Sequence, residues 1–313
     1  MAILKISLVA VLAACSAVAA DTSLLSLISP DAKVVSGINV NRTVASPFGQ
    51  FLLKEMEKND RDLQKLMLST GFDPRRDLTE VIAAATDVQH KGHGLVVARG
   101  IFDSAKLTAL ARVSGGTVTN YKDVQVISGQ HDGWIAFLDN QTVVAGDPDL
   151  VRSAIDRRGK NVGLDPKLVS KVNEVSVKYD VWVASIAPLS DFAGKLPDAR
   201  MNGAISGDMV QGIEQASGGV MFGSTIRVAA DAVMRSEKDA TALADVVRFL
   251  AGMVQVNRDK PDAARLAGIV DSMTLQASAN ILSISFSVPA TDLEQMIKPA
   301  RRTAPIRKVS VQK

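Results

Sequence analysis

His90 and His93 stand three residues apart in the stretch DVQHKGHG, with Asp87 three positions before the first of them. Imidazole and carboxylate groups ligate zinc or copper, which makes this stretch the chain's candidate metal site. A structural zinc takes four protein ligands and a catalytic one three, and no cysteine-rich or His-rich segment lies nearby. The chain holds 3 histidines in all, His131 being the third. Gly92 and Gly94 give the same stretch a plainer reading, a polar loop between two strands, and no cofactor is expected.

Other residue groupings fall short of chemistry for stated reasons. Ser128-Gly129-Gln130-His131-Asp132 has the residue types of a nucleophilic triad, but triad members converge through tertiary structure, and a turn wants Asp and Gly in any case. Gly218 to Thr225, GGVMFGST, misses the phosphate loop. Ser224 stands where the lysine must be, and the segment runs into a strand pattern instead of opening a helix. Asp73, Arg75, Arg76 and Asp77, with Glu80 beyond them, gather charge suited to an anionic ligand, although Asp-Pro followed by alternating charge is also a solvated turn. Trp134 and Trp182 are candidate stacking platforms, yet their apolar neighbours (Ile135, Phe137, Val181 and Val183) point to packing. No catalytic residue is assigned.

The elements that must carry these residues alternate between strands and helices. Strand patterns occupy 34–40, 80–85, 95–98, 118–127, 134–138 and 143–144, and again 177–186, 218–234 and the hairpin TLQASANILSISFSV. In that hairpin Leu282, Ile284, Phe286 and Val288 alternate with Ser283, Ser285 and Ser287, as in an antiparallel strand with one wet face. Ser46-Pro47, Asp103 and Asp147-Pro148 open helices, Ser236 to Asp239 has the form of a capping box, and a short helix is expected over 189–196. Residues 159–175 are polar and Lys-rich and read as a connection.

Laid side by side, KVVSGINVNRTVASPFGQFLLKEM matches DVWVASIAPLSDFAGKL in element order, HGLVVARGIFDSAKLTALAR matches RVAADAVMRSEKDATALADVVR, and DGWIAFLDNQTVVAGDPDLVRSAI matches DSMTLQASANILSISFSVPATDLEQMI. The expected fold is therefore α+β, with two related halves, each a mainly antiparallel sheet with helices on one face. The expected divisions are a signal peptide over 1–20, a first half over 21–160, a linker over 161–175, a second half over 176–300 and a basic tail over 301–313. The PDAKVVSGINV opening, the SPFGQFLL helix and the GFDPRRDL turn resemble a group of uncharacterised bacterial exported proteins of the domain-of-unknown-function type. The resemblance runs over residues 24–158 and implies no activity, ligand or site residue.

Compartment is the clearest reading. Lys5 is the sole charge before Asp21, and the apolar run over 6–14 followed by small residues has the layout of a secretory signal. That run is too short to span about 30 Å of hydrocarbon. Ala17-Val18-Ala19 and Val18-Ala19-Ala20 both suit ordinary cleavage and a periplasmic or extracellular product. Leu12-Ala13-Ala14-Cys15 offers the alternative of a lipid-anchored start at Cys15, the only cysteine. A net charge of +3 over 313 residues excludes nucleic acid as an expected partner. Cations concentrate in the tail, where Arg301, Arg302, Arg307 and Lys308 stand without an acid among Pro and small residues. Such a segment reads as disordered, and it suits an anionic membrane surface at about 1 kcal/mol per near-surface cation. The leading reading is a non-enzymatic envelope protein that binds or structures, its partner another envelope protein or an anionic membrane surface. An exported hydrolase and a periplasmic metal binder remain as alternatives.

Overall fold

Most helices of this chain begin where a short polar side chain can take a free backbone N–H. The computed structural model describes residues 19–86, 94–129, 133–160, 162–188, 210–259 and 261–297. Asp21 caps α1 (Thr22–Leu25), β1 (Val34–Asn39) follows, and Asn39 caps α2 (Val40–Ala45). Ser46 caps α3 (Pro47–Asn59), and Asp60 caps α4 (Arg61–Thr70), which Gly71 ends in the left-handed conformation at φ 75°. Asp73 caps the single turn α5 (Pro74–Asp77). Strands β2 (Leu78–Ala85) and β3 (Leu95–Gly100) lead to α6 (Ser104–Val113), capped by Asp103. Strands β4 (Thr117–Tyr121), β5 (Val124–Ser128), β6 (Trp134–Phe137) and β7 (Thr142–Gly146) come next, then α7 (Pro148–Arg157) under an Asp147 cap. Helix α8 (Pro166–Lys178) is capped by Asp165, and β8 (Val181–Ser185), β9 (Ile213–Met221) and β10 (Thr225–Met234) follow. Ser236 caps α9 (Glu237–Val256), and the remainder is α10 (Pro261–Asp271), β11 (Thr274–Ser278), β12 (Ile281–Pro289) and α11 (Ala290–Ile297). Proline after a capping Ser or Asp recurs at α3, α5, α7 and α8, because proline's fixed φ suits the first helical position.

Among the described residues all strands join one twelve-stranded antiparallel sheet in the order β11-β12-β10-β9-β8-β1-β2-β3-β7-β6-β5-β4. The α+β class and the antiparallel pairing match the expectation. The strands on either side of β1 and β8 form a single sheet, because those two pair in register from Val34 opposite Ser185 to Ile38 opposite Val181. On one face Val35, Ile82, Ala84, Val97, Val126, Ala136, Val144, Trp182 and Ala184 form the main core with α1, α7 and α8. Gly37 is required there: a Cβ would lie 2.3 Å from the Trp182 ring.

Helices cover both faces, which corrects the one-face expectation. Phe137 points away from the main core, since its neighbour Ala136 points into it, and Phe102 packs on Phe137 with Phe72 stacked beyond. On that same second face α3 brings Phe48, Phe51 and Leu52 onto Val220, Ile226 and Val228, while α9 sets Ala240 and Leu243 against Met234 and Ile213. The cause lies in β1, β3 and β7, where Val34-Val35, Val96-Val97 and Val143-Val144 are apolar on both faces, and both faces need cover.

Two further expectations change. The stretch 161–175 is mostly helix, because Leu168, Val172 and Val175 recur at helical spacing and bury under an exterior of lysines. The strand expected over 118–127 is a hairpin, turned at Lys122 with φ 54°. The short helix expected over 189–196 lies outside the described residues.

Arg42 and Asp180 pin the central seam. Asp180 is buried, accepts from Arg42 Nε at 2.8 Å and from Phe222 N at 2.6 Å, and its own carbonyl accepts from Asn39 N. Arg42 also donates to the carbonyls of Ser176, Val177 and Lys178 at the end of α8. Removing the cation leaves a buried carboxylate without its partner. Arg42→Ala is expected to lower the unfolding free energy by about 2–4 kcal/mol, the upper figure discounted for the partial exposure of Arg42. Urea denaturation measures this directly.

Candidate functional site

Most candidate residues of the sequence fall outside the described ones. His90, His93 and Asp87 lie outside the described residues, as do His131, Asp132, Cys15, Arg301, Arg302, Arg307 and Lys308. Among the described residues no group of three His, Cys, Asp or Glu side chains stands close enough for a metal. The charged turn is internally satisfied. Arg75 pairs with Glu57 at 2.7 Å and with Asp73 at 2.8 Å, and Arg76 pairs with Asp77 at 2.7 Å. The Arg75 hydrogen bond holds the Asp73 carboxyl below its ordinary range against a small cost of burial. These charges stiffen a turn and leave little for a ligand. Trp182 is in the core, while Trp134 is partly buried beneath the Arg152 guanidinium, 4.4 Å from its ring. Gly218 and Gly219 lie inside β9, and the following residues turn directly into β10, so no helix dipole faces the segment.

The geometry with chemical potential is a cavity of about 470 Å³ between α1, the start of β7 and the end of α7. Arg99 projects from β3, Thr142 from β7 and Asp139 from the turn before it, Ser23 from α1, and Arg158 and Lys160 follow α7. Gly159 takes φ 74° after the last turn of α7, and the Lys160 N–H returns to the Arg157 carbonyl at 2.8 Å, which brings both cations to the cavity wall. Arg99 is held from behind. Its Nε and Nη2 donate to Asp21 Oδ2 at 3.0 and 2.8 Å, Nη2 also to Ser23 Oγ, and Nη1 to Thr142 Oγ1 at 2.7 Å. Asp139 accepts from Gln141 N at 2.7 Å, and Asp123 accepts from Arg158 at 2.5 Å.

The carboxylates beside the cavity are tuned in opposite directions. Burial works against ionisation of Asp21, but hydrogen bonds from Ser23 and Arg99 outweigh it, and the group titrates below its ordinary value. Burial pushes Glu80 up, and the Asp21 N–H, 3.2 Å away, offsets only part of the rise. Ser23 Oγ donates to Asp21 Oδ1 at 2.6 Å. A carboxylate held low by arginine is a weak base for a serine hydroxyl, so this pair is poorly suited to nucleophilic catalysis.

Two stretches of apolar surface stand out as well. Phe249, Met253 and Val256 recur at i, i+4 and i+7 along α9 and are 67%, 49% and 84% exposed, with Leu250 beside them. Across the second face of the sheet, Val183, Ser36, Ala83, Val96, Ala145 and Ile135 form one row through six strands.

The sequence matches no protein-family model and no curated protein. Solved structures do match. Crystal forms III, I and IV of TP0453 align with TM-scores of 0.54, 0.53 and 0.52. The chain shares its fold with TP0453. Identity is 10–12%, and the alignments cover 87–89% of this chain and 96–97% of TP0453. At that identity the likeness fixes architecture and leaves the residues of the cavity to be argued from their own geometry. No helix among the described residues is long and apolar enough to cross a membrane.

Glu80 supplies a test of the electrostatics. Its folded form holds a proton to higher pH than the unfolded chain does. Stability therefore falls as pH rises through that window, and the cost persists at neutral pH. Glu80→Gln keeps an acceptor for the Asp21 N–H and is expected to match or exceed the parent at pH 7. That advantage disappears below about pH 4, where both states of the parent are protonated. Urea midpoints measured across pH 3–8 decide it, and a variant weaker than the parent at pH 7 contradicts the assignment.

Proposed function

We propose that this chain is an exported, non-enzymatic protein of the bacterial envelope that docks another envelope protein. The carrying observation is the exposed stripe of Phe249, Leu250, Met253 and Val256 on α9. A soluble protein rarely leaves neighbouring large apolar side chains in water without a use, and aromatic and methionine side chains are enriched where proteins meet. The N-half of α9 is anchored by Ala240 and Ala244, so the stripe projects from a fixed base. The leader-like N-terminus supports the compartment. The hydrolase alternative draws no support from the Ser23–Asp21 pair, for the reason of basicity given above.

This reading includes an internal duplication. Outward from the seam, β3 is followed by a helix and by strands of which the last, β7, pairs back on β3; β10 is followed by helices and by strands of which the last, β12, pairs back on β10. The order is the one the aligned stretches of sequence share.

Replacing Phe249, Met253 and Val256 by serine tests the docking surface. These side chains are exposed, so the triple variant is expected to keep the parent's thermal midpoint within a few degrees. It is expected to lose the cross-linked adducts that the parent forms in intact cells. Adducts of equal yield in the variant reject the stripe. Loss of binding to anionic vesicles with adducts retained moves the partner from protein to membrane surface.

The mature start is testable too. Ala20 is 3% exposed in the main core, and its N–H donates to the buried Ser176 Oγ at 3.1 Å. This placement supports a leader that ends before Ala20. Intact mass of the exported protein is expected to show a chain that begins at Ala20, or at an acylated Cys15 in the detergent phase if the lipid-anchored alternative holds. A chain that begins at Asp21 contradicts this.

A further inference from the structure

We propose that the cavity between α1 and the end of α7 is a binding site for a compact hydroxylated anion, a phosphate ester of a polyol. This site is separate from the α9 surface and stands without it. Its wall carries three cations, Arg99, Arg158 and Lys160, against one carboxylate, Asp139. Asp139 is occupied as the acceptor of Gln141 N. The acids that pair with the two arginines, Asp21 and Asp123, are not part of the wall.

Arg99 is preorganised. Four of its five N–H groups are directed by Asp21, Ser23 and Thr142, which leaves one Nη1 N–H without a described acceptor. A guanidinium fixed in this way needs no ordering when an anion arrives. Among the described residues Arg158 is paired with Asp123, whose side chain is largely exposed, and exposed pairs of this kind contribute little and exchange readily. Lys160 makes no ion pair among the described residues and adds an exposed point charge at the rim. Phosphate oxygens take charge-assisted hydrogen bonds from such a set.

The hydroxyl partners come from the same wall. Thr22, Ser23 and Ser26 of the α1 segment and Thr142 of β7 line it, and Asp139 keeps a second oxygen for a ligand hydroxyl. Leu27 and Leu138 supply the apolar part. A volume of about 470 Å³ exceeds what a bare phosphate fills and accommodates an attached polyol. Glycerol phosphate has this chemistry either as a free metabolite-sized molecule or as the headgroup of an anionic lipid.

The test uses the mature chain and three probes: inorganic phosphate, glycerol 1-phosphate, and vesicles containing phosphatidylglycerol. Calorimetric titration of the parent is expected to give saturable binding, tighter for glycerol 1-phosphate than for inorganic phosphate. Arg158→Gln with Lys160→Gln removes two exposed cations and is expected to weaken binding roughly tenfold or more, the loss of one or two charge-assisted contacts. Arg152→Gln removes a cation of the same helix that lies outside the cavity wall and is expected to bind as the parent does. Binding to vesicles alone, lost in the double variant and kept in Arg152→Gln, assigns the ester to a lipid headgroup. The proposal is overturned if the parent binds none of the three probes, or if the double variant binds like the parent. It is equally overturned if the Arg152 variant loses as much as the double variant, since the effect is then bulk charge.

Discussion

The Arg42–Asp180 contact holds the sheet together at its central seam. Strands β1 and β8 come from opposite ends of the chain's first 185 residues, and closing that distance costs chain entropy before any hydrogen bond forms. Asp180 sits where β8 begins and takes donors from α2, through Arg42, and from the residue after β9, through Phe222. Arg42 reaches in turn to the last carbonyls of α8, groups that no helical N–H can satisfy. One buried carboxylate and one guanidinium thus fix the start of β8, the end of α8 and the exit of β1 in a single geometry.

From that seam the rest of the arrangement follows by burial. With β1 and β8 central, neither face of the middle strands can be left to water over its whole area, and the Val-Val pairs in β1, β3 and β7 put apolar side chains on both. The helices of the main core cover one face with α1, α7 and α8. The second face is covered at its two ends, by the phenylalanine cluster around Phe102 on one side and by α3 and α9 on the other. Between them the row from Val183 to Ile135 remains partly open. A continuous sheet with divided cover leaves apolar surface in the middle, and α9 carries an apolar stripe of its own past its anchoring alanines.

What was legible in the sequence was local. Ser46, Asp103, Asp147 and Ser236 announce their helices because capping depends on one side chain and its own backbone neighbours. The alternation of Leu282, Ile284, Phe286 and Val288 announces β12 because a strand's period is two. Helix α8 was misread since its lysines dominate composition while three buried residues, Leu168, Val172 and Val175, carry the structural signal. The turn at Lys122 was missed because a left-handed residue without glycine gives no sequence cue. The cavity was invisible for a different reason: Ser23, Arg99, Thr142 and Lys160 are brought together only by the sheet register and by the fold of α7. The run Arg157-Arg158-Gly159-Lys160 was its one local trace, a cationic helix end followed by a glycine able to reverse the chain.

The N-terminal end of the fold ties these levels together. Asp21 caps α1, directs Arg99 into the cavity wall, and lends its N–H to Glu80, all within one residue. Ala20 beside it is locked to Ser176 of α8, the helix whose C-terminal end Arg42 reaches. The cavity wall is therefore complete only when the chain from Ala20 onward is seated in the core.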